Sequence, residues 1–127
     1  MKARPKPIWI AHRGGQPENA LSSLVSSLLP ESAASGIEFD VQLTSDGVPV
    51  IFHDHETERL TGESGTIIDR TWHEVSELRS QGEPIVQLSD LGAAIAALEP
   101  RSRILNVELK PTAHAPELIE AATPFFD

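Results

Sequence analysis

Residues 36–54 read GIEFDVQLTSDGVPVIFHD, and the alternation in this stretch decides the fold. Successive strand side chains point to opposite faces, so Ile37, Phe39, Val41 and Leu43 share one side while Glu38, Asp40, Gln42 and Thr44 share the other. The segment Ser45-Asp46-Gly47-Val48 carries the Asp-Gly signature of a two-residue hairpin, which would return the chain antiparallel and set Asp40 opposite His53. A parallel return needs a connection of about a dozen residues or more, and none is present. Two carboxylates and an imidazole then converge. Taken alone, the stretch reads first as the solvated face of an antiparallel sheet. The rest of the chain decides between that reading and a site.

Working outward, Ile8-Trp9-Ile10-Ala11 is a short apolar run of the kind that forms a buried strand, and it ends in His12-Arg13-Gly14-Gly15-Gln16-Pro17-Glu18-Asn19. Asn19 is placed to cap a helix whose apolar positions are Leu21, Leu24, Val25, Leu28 and Leu29, with Pro30 limiting its end. Residues 56–65 lack a sustained period and read as an exposed loop. Thr71-Trp72-His73-Glu74 matches a capping box for a short helix through Val75 and Leu78, closed by Gly82 and Pro84. Ser89 is expected to cap a helix carrying Leu91, Ala94, Ile95 and Leu98. Residues 104–110 alternate again, with Leu105, Val107 and Leu109 on one face and Asn106, Glu108 and Lys110 on the other, before Pro111 stops the strand. Residues 115–126 can form one amphipathic helix using Leu118, Ile119 and Ala122.

Composition narrows the chemistry. The chain has 127 residues, 39% of them hydrophobic, which suits a single domain over residues 1–127. Lys plus Arg total 10 against 19 for Asp plus Glu, a formal charge of −9, which argues against a sequence-independent grip on nucleic acid or an anionic membrane. There is no cysteine, so any metal must be held by oxygen or imidazole. The apolar run near the start is too short for a membrane span or a signal-peptide core, and we expect no stable membrane insertion and a cytoplasmic location. Gly14-Gly15 lacks the third glycine of a dinucleotide fingerprint, and the loop at Gly62 and Gly65 lacks the Lys-Ser or Lys-Thr pair of a P-loop.

Strands followed by helices suggest an α/β layout whose distinctive polar residues recur at strand ends, as at one rim of a barrel: His12 and Arg13, Glu38 and Asp40, His53, Glu108 and Lys110. With HRGGQPENA, GIEFDVQLTSDGVPVIFHD and NVELKP in this order, the chain resembles the glycerophosphodiester phosphodiesterase family from about Ile8 to Pro111. The resemblance implies a TIM barrel of the phospholipase C-like type. Since such a barrel typically takes about 250 residues, the chain corresponds to its N-terminal half, with a β-hairpin at residues 37–53.

The resemblance further implies metal-dependent hydrolysis of a small glycerophosphodiester to glycerol 3-phosphate and an alcohol. Glu38, Asp40 and Glu108 then match the metal ligands, for calcium or magnesium; His12 and His53 match the acid–base pair, and Arg13 and Lys110 the positions that meet phosphate. Asn19 would add a metal or substrate contact beyond its cap. A hard cation and two basic side chains offset phosphate charge, and imidazoles move protons near neutral pH, so this set is chemically coherent. Three other readings stay open. They are a non-catalytic remnant that binds metal or phosphate, a homo-oligomer in which a second copy completes the half barrel, and a phospholipase D-like enzyme acting on lysolipids. His55, His73 and His114 match no such position and are expected at the surface.

Overall fold

The computed structural model describes residues 2–110 and 115–126. The expectations for Pro111 and His114 lie outside them. Strand β2 (Gly36–Leu43) is the centre of the fold because it is paired along both edges. On one edge runs β7 (Ile104–Leu109), parallel, from Gly36 opposite Ile104 to Val41 opposite Leu109. The other edge is shared by β1 (Ile10–Ala11), parallel to the start of β2, and β3 (Pro49–Ile51), antiparallel to its end. Strand β6 (Val86–Gln87) extends the sheet beyond β3.

One face of this sheet receives the helices. Ile37, Phe39 and Val41 are fully buried there with Leu24 and Leu28 of α1 (Leu21–Leu28), Leu88 and Leu91 of α4 (Leu88–Ala96), and Leu118 and Ala122 of α5 (Ala115–Ala122). Each of these side chains larger than alanine contributes about 1.5–3 kcal/mol on leaving water. Parallel strands joined through helices packed on one face form the arc of a barrel, with Glu38 and Asp40 on its inner side.

The hairpin register differs from the sequence expectation. Val41 pairs with Ile51, Gln42 with Val50 and Leu43 with Pro49, so Phe52 lies opposite Asp40 and donates its N–H to the Asp40 carbonyl at 2.9 Å. The loop holds three residues, Ser45, Asp46 and Gly47, and only Gly47 takes positive φ, at 83°. Asp46 is engaged elsewhere: its carboxylate accepts from Thr44 Oγ1 at 2.6 Å and from the Trp72 N–H at 2.9 Å. This is the turn-plus-bulge form of a hairpin rather than the two-residue form.

The polar face is not wet either. Asp40, Gln42 and Thr44 are all buried. Val50 and Phe52 form a second core with Ile67, Val75, Leu78 and Ile85, built from the segment that includes α2 (Glu58–Thr61) and α3 (Trp72–Ser76). A covered inner face thus replaces the expected solvated one.

The capping signal holds at α3 and not at α4. Thr71 does cap α3, accepting from the Glu74 N–H. Ser89 does not cap α4; Gln87 does, in a capping box with Asp90. The stretch through Gly82 and Pro84 is a tight hairpin of β4 (Arg79–Ser80) and β5 (Glu83–Pro84), with positive φ at Gln81 and Gly82. Residues 56–65, expected as loop, contain α2 and a bridge between Glu56 and Thr66. Ile8 and Trp9 are each 65% exposed, since β2 begins opposite Ile10 and offers them no ladder. The C-terminal helix ends at Ala122 and tightens into a 3₁₀ turn over Thr123–Phe125. His55 and His73 are exposed, as expected.

Gly36 shows how close β2 and β7 approach, because a Cβ there would overlap the backbone carbonyl of Ile104. Overpacking of this kind typically costs about 1–3 kcal/mol. Gly36→Ala should therefore lower the unfolding free energy by about 1–3 kcal/mol, read as a lower urea midpoint at unchanged m-value, whereas an unchanged midpoint would mean the two strands are not in this register.

Candidate functional site

The inner side of β2 and β7 brings three carboxylates together. Parallel pairing sets Asp40 beside Glu108, and Glu38 precedes Asp40 by one full pleat, so one carboxylate oxygen of each lies within 4.8 Å of the others. Asp40 is fully buried, Glu38 half-buried and Glu108 about half exposed. A buried carboxylate must be compensated. Asn19 Nδ2 donates to Asp40 Oδ2 at 3.1 Å, and Lys110 Nζ sits 3.3 Å from Asp40 Oδ1 and 3.1 Å from Glu108 Oε1.

Asn19 is thus not the cap of α1. Ala20 holds that place without a side-chain bond, and Asn19 takes a left-handed φ of 55° that turns its amide to Asp40. A helix end can use water for its free N–H groups, whereas a fully buried carboxylate cannot.

Two buried oxygens, Glu38 Oε1 and Asp40 Oδ1, have no hydrogen-bond partner among the described residues; the Lys110 ammonium is near Asp40 Oδ1 but not aligned with it. An all-oxygen donor set with orphaned buried lone pairs fits a divalent hard cation. Proton affinities reflect the crowding. Burial first, and the Asp40 charge second, raise the Glu38 carboxyl above its ordinary value. Burial would also raise Asp40, but the hydrogen bond from Asn19 and the Lys110 charge outweigh it and hold that carboxyl below its ordinary value. Burial likewise opposes the charged form of Lys110, yet Glu108 and Asp40 prevail and raise it.

The loop after β1 supplies the next groups. His12 and Arg13 lie in a 3₁₀ turn, His12–Gly14, in which Arg13 is left-handed at φ 53°. Gly14 presses on α1 so closely that a Cβ would stand 2.7 Å from Leu24 Cδ2, and Ser27 Oγ donates to its carbonyl at 2.9 Å. The loop is therefore fastened to the helix layer while His12 stays exposed, close enough to Glu38 to act on its charge. Arg13 points inward, with Nε 4.0 Å from Asp40 Oδ2.

His53 follows β3 and leaves the ladder, so its place is not set by pairing. Gln42 sets it instead: its Nε2 donates to the carbonyls of Phe52 at 2.8 Å and Asp54 at 2.7 Å, which pins the backbone on both sides of His53. The imidazole Nε2 lies 2.8 Å from Arg13 Nη2 and Nδ1 lies 2.7 Å from Asp54 Oδ1.

All seven residues singled out from the sequence, His12, Arg13, Glu38, Asp40, His53, Glu108 and Lys110, therefore line one region, although His53 arrives by a loop and not across from Asp40. Sequence reasoning missed Glu18, Asp54 and Arg59. Glu18 is 5% exposed and takes Arg13 Nη1 on Oε2 at 3.0 Å and Arg59 Nη1 on Oε1 at 2.9 Å; Arg59 also reaches Asp54 Oδ2 through Nε at 2.7 Å. Adjacency of Asp54 to His53 was the one visible signal, while the reach of Arg59 depends on the fold of α2.

Comparison with known proteins follows the same lines. The model of the glycerophosphoryl diester phosphodiesterase family matches residues 12–119. A glycerophosphodiester phosphodiesterase of Caldanaerobacter subterraneus subsp. tengcongensis is 34% identical over 116 residues, covering 83% of this chain and 46% of the relative. Glycerophosphodiester phosphodiesterase 1 of Rattus norvegicus is 41% identical over 81 residues, 61% of this chain and 24% of the relative. Among solved structures, an Oleispira antarctica phosphodiesterase in complex with the product sn-glycerol-3-phosphate superposes with a TM-score of 0.80 at 34% identity, covering 94% of this chain and 51% of that one. The Thermotoga maritima glycerophosphodiester phosphodiesterase gives 0.75 at 29% identity, over 95% and 50% of the two chains. The chain thus spans about half the length of these solved relatives and less of the rat protein.

The Asp54–Arg59 pair gives the region an acid limit. Hydrogen bonds from Arg59, reinforced by His53, lower the Asp54 carboxyl from 3.8 to about 2. A depressed folded-state value means stability present above the unfolded value and lost as pH falls through the folded one. The urea midpoint should therefore drop between about pH 4 and pH 2, and Asp54→Asn should flatten part of that slope. An identical slope in the variant would show the pair to be solvent-screened.

Proposed function

Because the chain belongs to the glycerophosphoryl diester phosphodiesterase family, we propose that it performs metal-dependent hydrolysis of a glycerophosphodiester to glycerol 3-phosphate and an alcohol. The observation that carries the reading is the convergence of Glu38, Asp40 and Glu108 within 4.8 Å, with Arg13 and Lys110 beside them. A calcium or magnesium ion held by these carboxylates would neutralise phosphate charge as a Lewis acid.

The chain's own side chains would do the rest. Arg13 and Lys110 flank the carboxylates from two different elements and would hold the anionic oxygens of the diester by charge-assisted hydrogen bonds. His12 at the exposed rim and His53 behind Arg13 would share the proton work: one imidazole accepts a proton from the attacking oxygen and the other returns one to the departing alkoxide. Which does which follows from the side on which the alcohol leaves.

We read residues 1–127 as one domain, the N-terminal half of the family domain; a five-stranded sheet whose central strand packs against three helices supports that. The edge of β7 away from β2 is unpaired among the described residues, and Ile104 and Leu105 on it are exposed, which supports a second copy as one means of completing the barrel. No helix of the described residues is long and apolar enough to cross a membrane. A cytoplasmic site of action is part of the same proposal.

The test is release of glycerol 3-phosphate from glycerophosphocholine by the purified chain, with calcium or magnesium and again with chelator. Metal-dependent release is expected. Lysophosphatidylcholine as the preferred substrate would favour the lysolipid reading, and a folded, metal-loaded chain without turnover would leave a binding module. Asp40→Asn should weaken calcium binding at least about tenfold by calorimetry, since it removes one of three charged ligands. His53→Ala should leave calcium affinity unchanged while lowering kcat by about 10²–10⁴-fold, the usual worth of acid–base catalysis.

A further inference from the structure

Beside the carboxylate cluster, five side chains close into a ring. Arg13 Nη1 donates to Glu18 Oε2 at 3.0 Å, and Glu18 Oε1 forms an ion pair with Arg59 Nη1 at 2.9 Å. Arg59 donates to Asp54 through Nε to Oδ2 at 2.7 Å and through Nη2 to Oδ1 at 2.9 Å. Asp54 Oδ1 meets His53 Nδ1 at 2.7 Å, and His53 Nε2 meets Arg13 Nη2 at 2.8 Å. The members come from three segments: the loop after β1, the residues just beyond β3, and α2.

The ring has one consistent assignment of protons. A guanidinium can only donate, so where Arg13 meets His53 the Nε2 atom must accept. A neutral imidazole that accepts at Nε2 carries its proton at Nδ1, and there it faces Asp54, an ionised acceptor. Asp54 in turn is held by two donors of Arg59, which cannot swing away because its third nitrogen is engaged by the buried Glu18. Two arginines and two carboxylates leave the ring without net charge, which offsets the cost of burying Glu18.

We propose that Asp54, Arg59 and Glu18 are positioning residues that hold His53 in the Nδ1–H tautomer, with its Nε2 lone pair aimed at the place where Arg13 stands. Its catalytic consequence rests on the phosphodiesterase reading above; the tautomer itself does not. Asp54 orients the ring, Arg59 orients Asp54, and Glu18 ties Arg59 to Arg13, so the imidazole and the guanidinium that would meet the phosphate are set by a single closed network. A purely structural clasp between the β1 loop and α2 would need the same ion pairs but would have no reason to specify a tautomer.

The test is ring-nitrogen NMR on the full 127-residue chain, with His53 assigned by comparison with His53→Ala. The ¹⁵N shifts of wild type should report a proton on Nδ1 and a lone pair on Nε2. In Asp54→Ala only Arg13 still favours the Nδ1–H form, so a fraction of Nε2–H absent from wild type should appear, with kcat for glycerophosphocholine about 10- to 100-fold lower and KM little changed. Arg59→Lys, which cannot bridge both acids but leaves Asp54 in place, should keep the Nδ1–H form and lose less activity; if Asp54→Ala does not fold, loss of the Nδ1–H form in Arg59→Lys would overturn the proposal. Wild-type His53 in the Nε2–H form, or a folded Asp54→Ala whose tautomer balance is the same as that of wild type, would overturn the proposal. A tautomer change in a chain that never turns over would uphold the positioning and defeat the phosphodiesterase reading instead.

Discussion

The parallel ladder between β2 and β7 is the constraint on which the rest of the molecule depends. Its register puts Asp40 beside Glu108, and strand alternation puts Glu38 on the same inner side. The opposite side of the same strand buries Ile37, Phe39 and Val41 against three helices. Apolar burial at about 1.5–3 kcal/mol per side chain drives this pairing, and it thereby forces like charges together that would otherwise separate. A shift by one residue would turn both faces over and is excluded by the apolar side alone. The core thus holds the acidic cluster in place without any attraction between its members.

Crowded carboxylates then dictate what surrounds them. In a chain with a net charge of −9, Arg13, Lys110 and the amide of Asn19 converge on Asp40, which is fully buried. Compensation is incomplete, since Glu38 Oε1 and Asp40 Oδ1 keep free lone pairs among the described residues and the Glu38 carboxyl is raised. A partly satisfied, buried acidic group is costly to a fold, and sites that handle cations or phosphates are where such cost is retained. Farther out, Glu18 and Asp54 are matched fully by Arg13 and Arg59, so the support is electrically closed where the cluster is open.

Much of this was legible in order along the chain. Alternation in residues 36–43 and 104–109 located the two strands of the parallel ladder and assigned their faces correctly, because a period of two survives any choice of neighbour. The Thr71 cap and the Pro30 limit of α1 were equally local. Errors arose wherever a residue had two possible partners. Asn19 had a helix end and a buried carboxylate to serve, and the distant carboxylate prevailed; Asp46 had the turn and the N–H of Trp72, and it serves both. The expected pairing of Asp40 with His53 failed by one residue because the loop holds three residues rather than two.

The sequence by itself determined which side chains share the inner face of β2 and β7, and so which carboxylates would meet. Only the tertiary structure decided that this face is covered, that Gln42 carries His53 to the site from outside the ladder, and that Glu18, Asp54 and Arg59 close a network around it. Backbone geometry writes the first kind of fact at every second residue. The second kind consists of contacts between side chains on separate segments, each available to several partners until packing removes all but one.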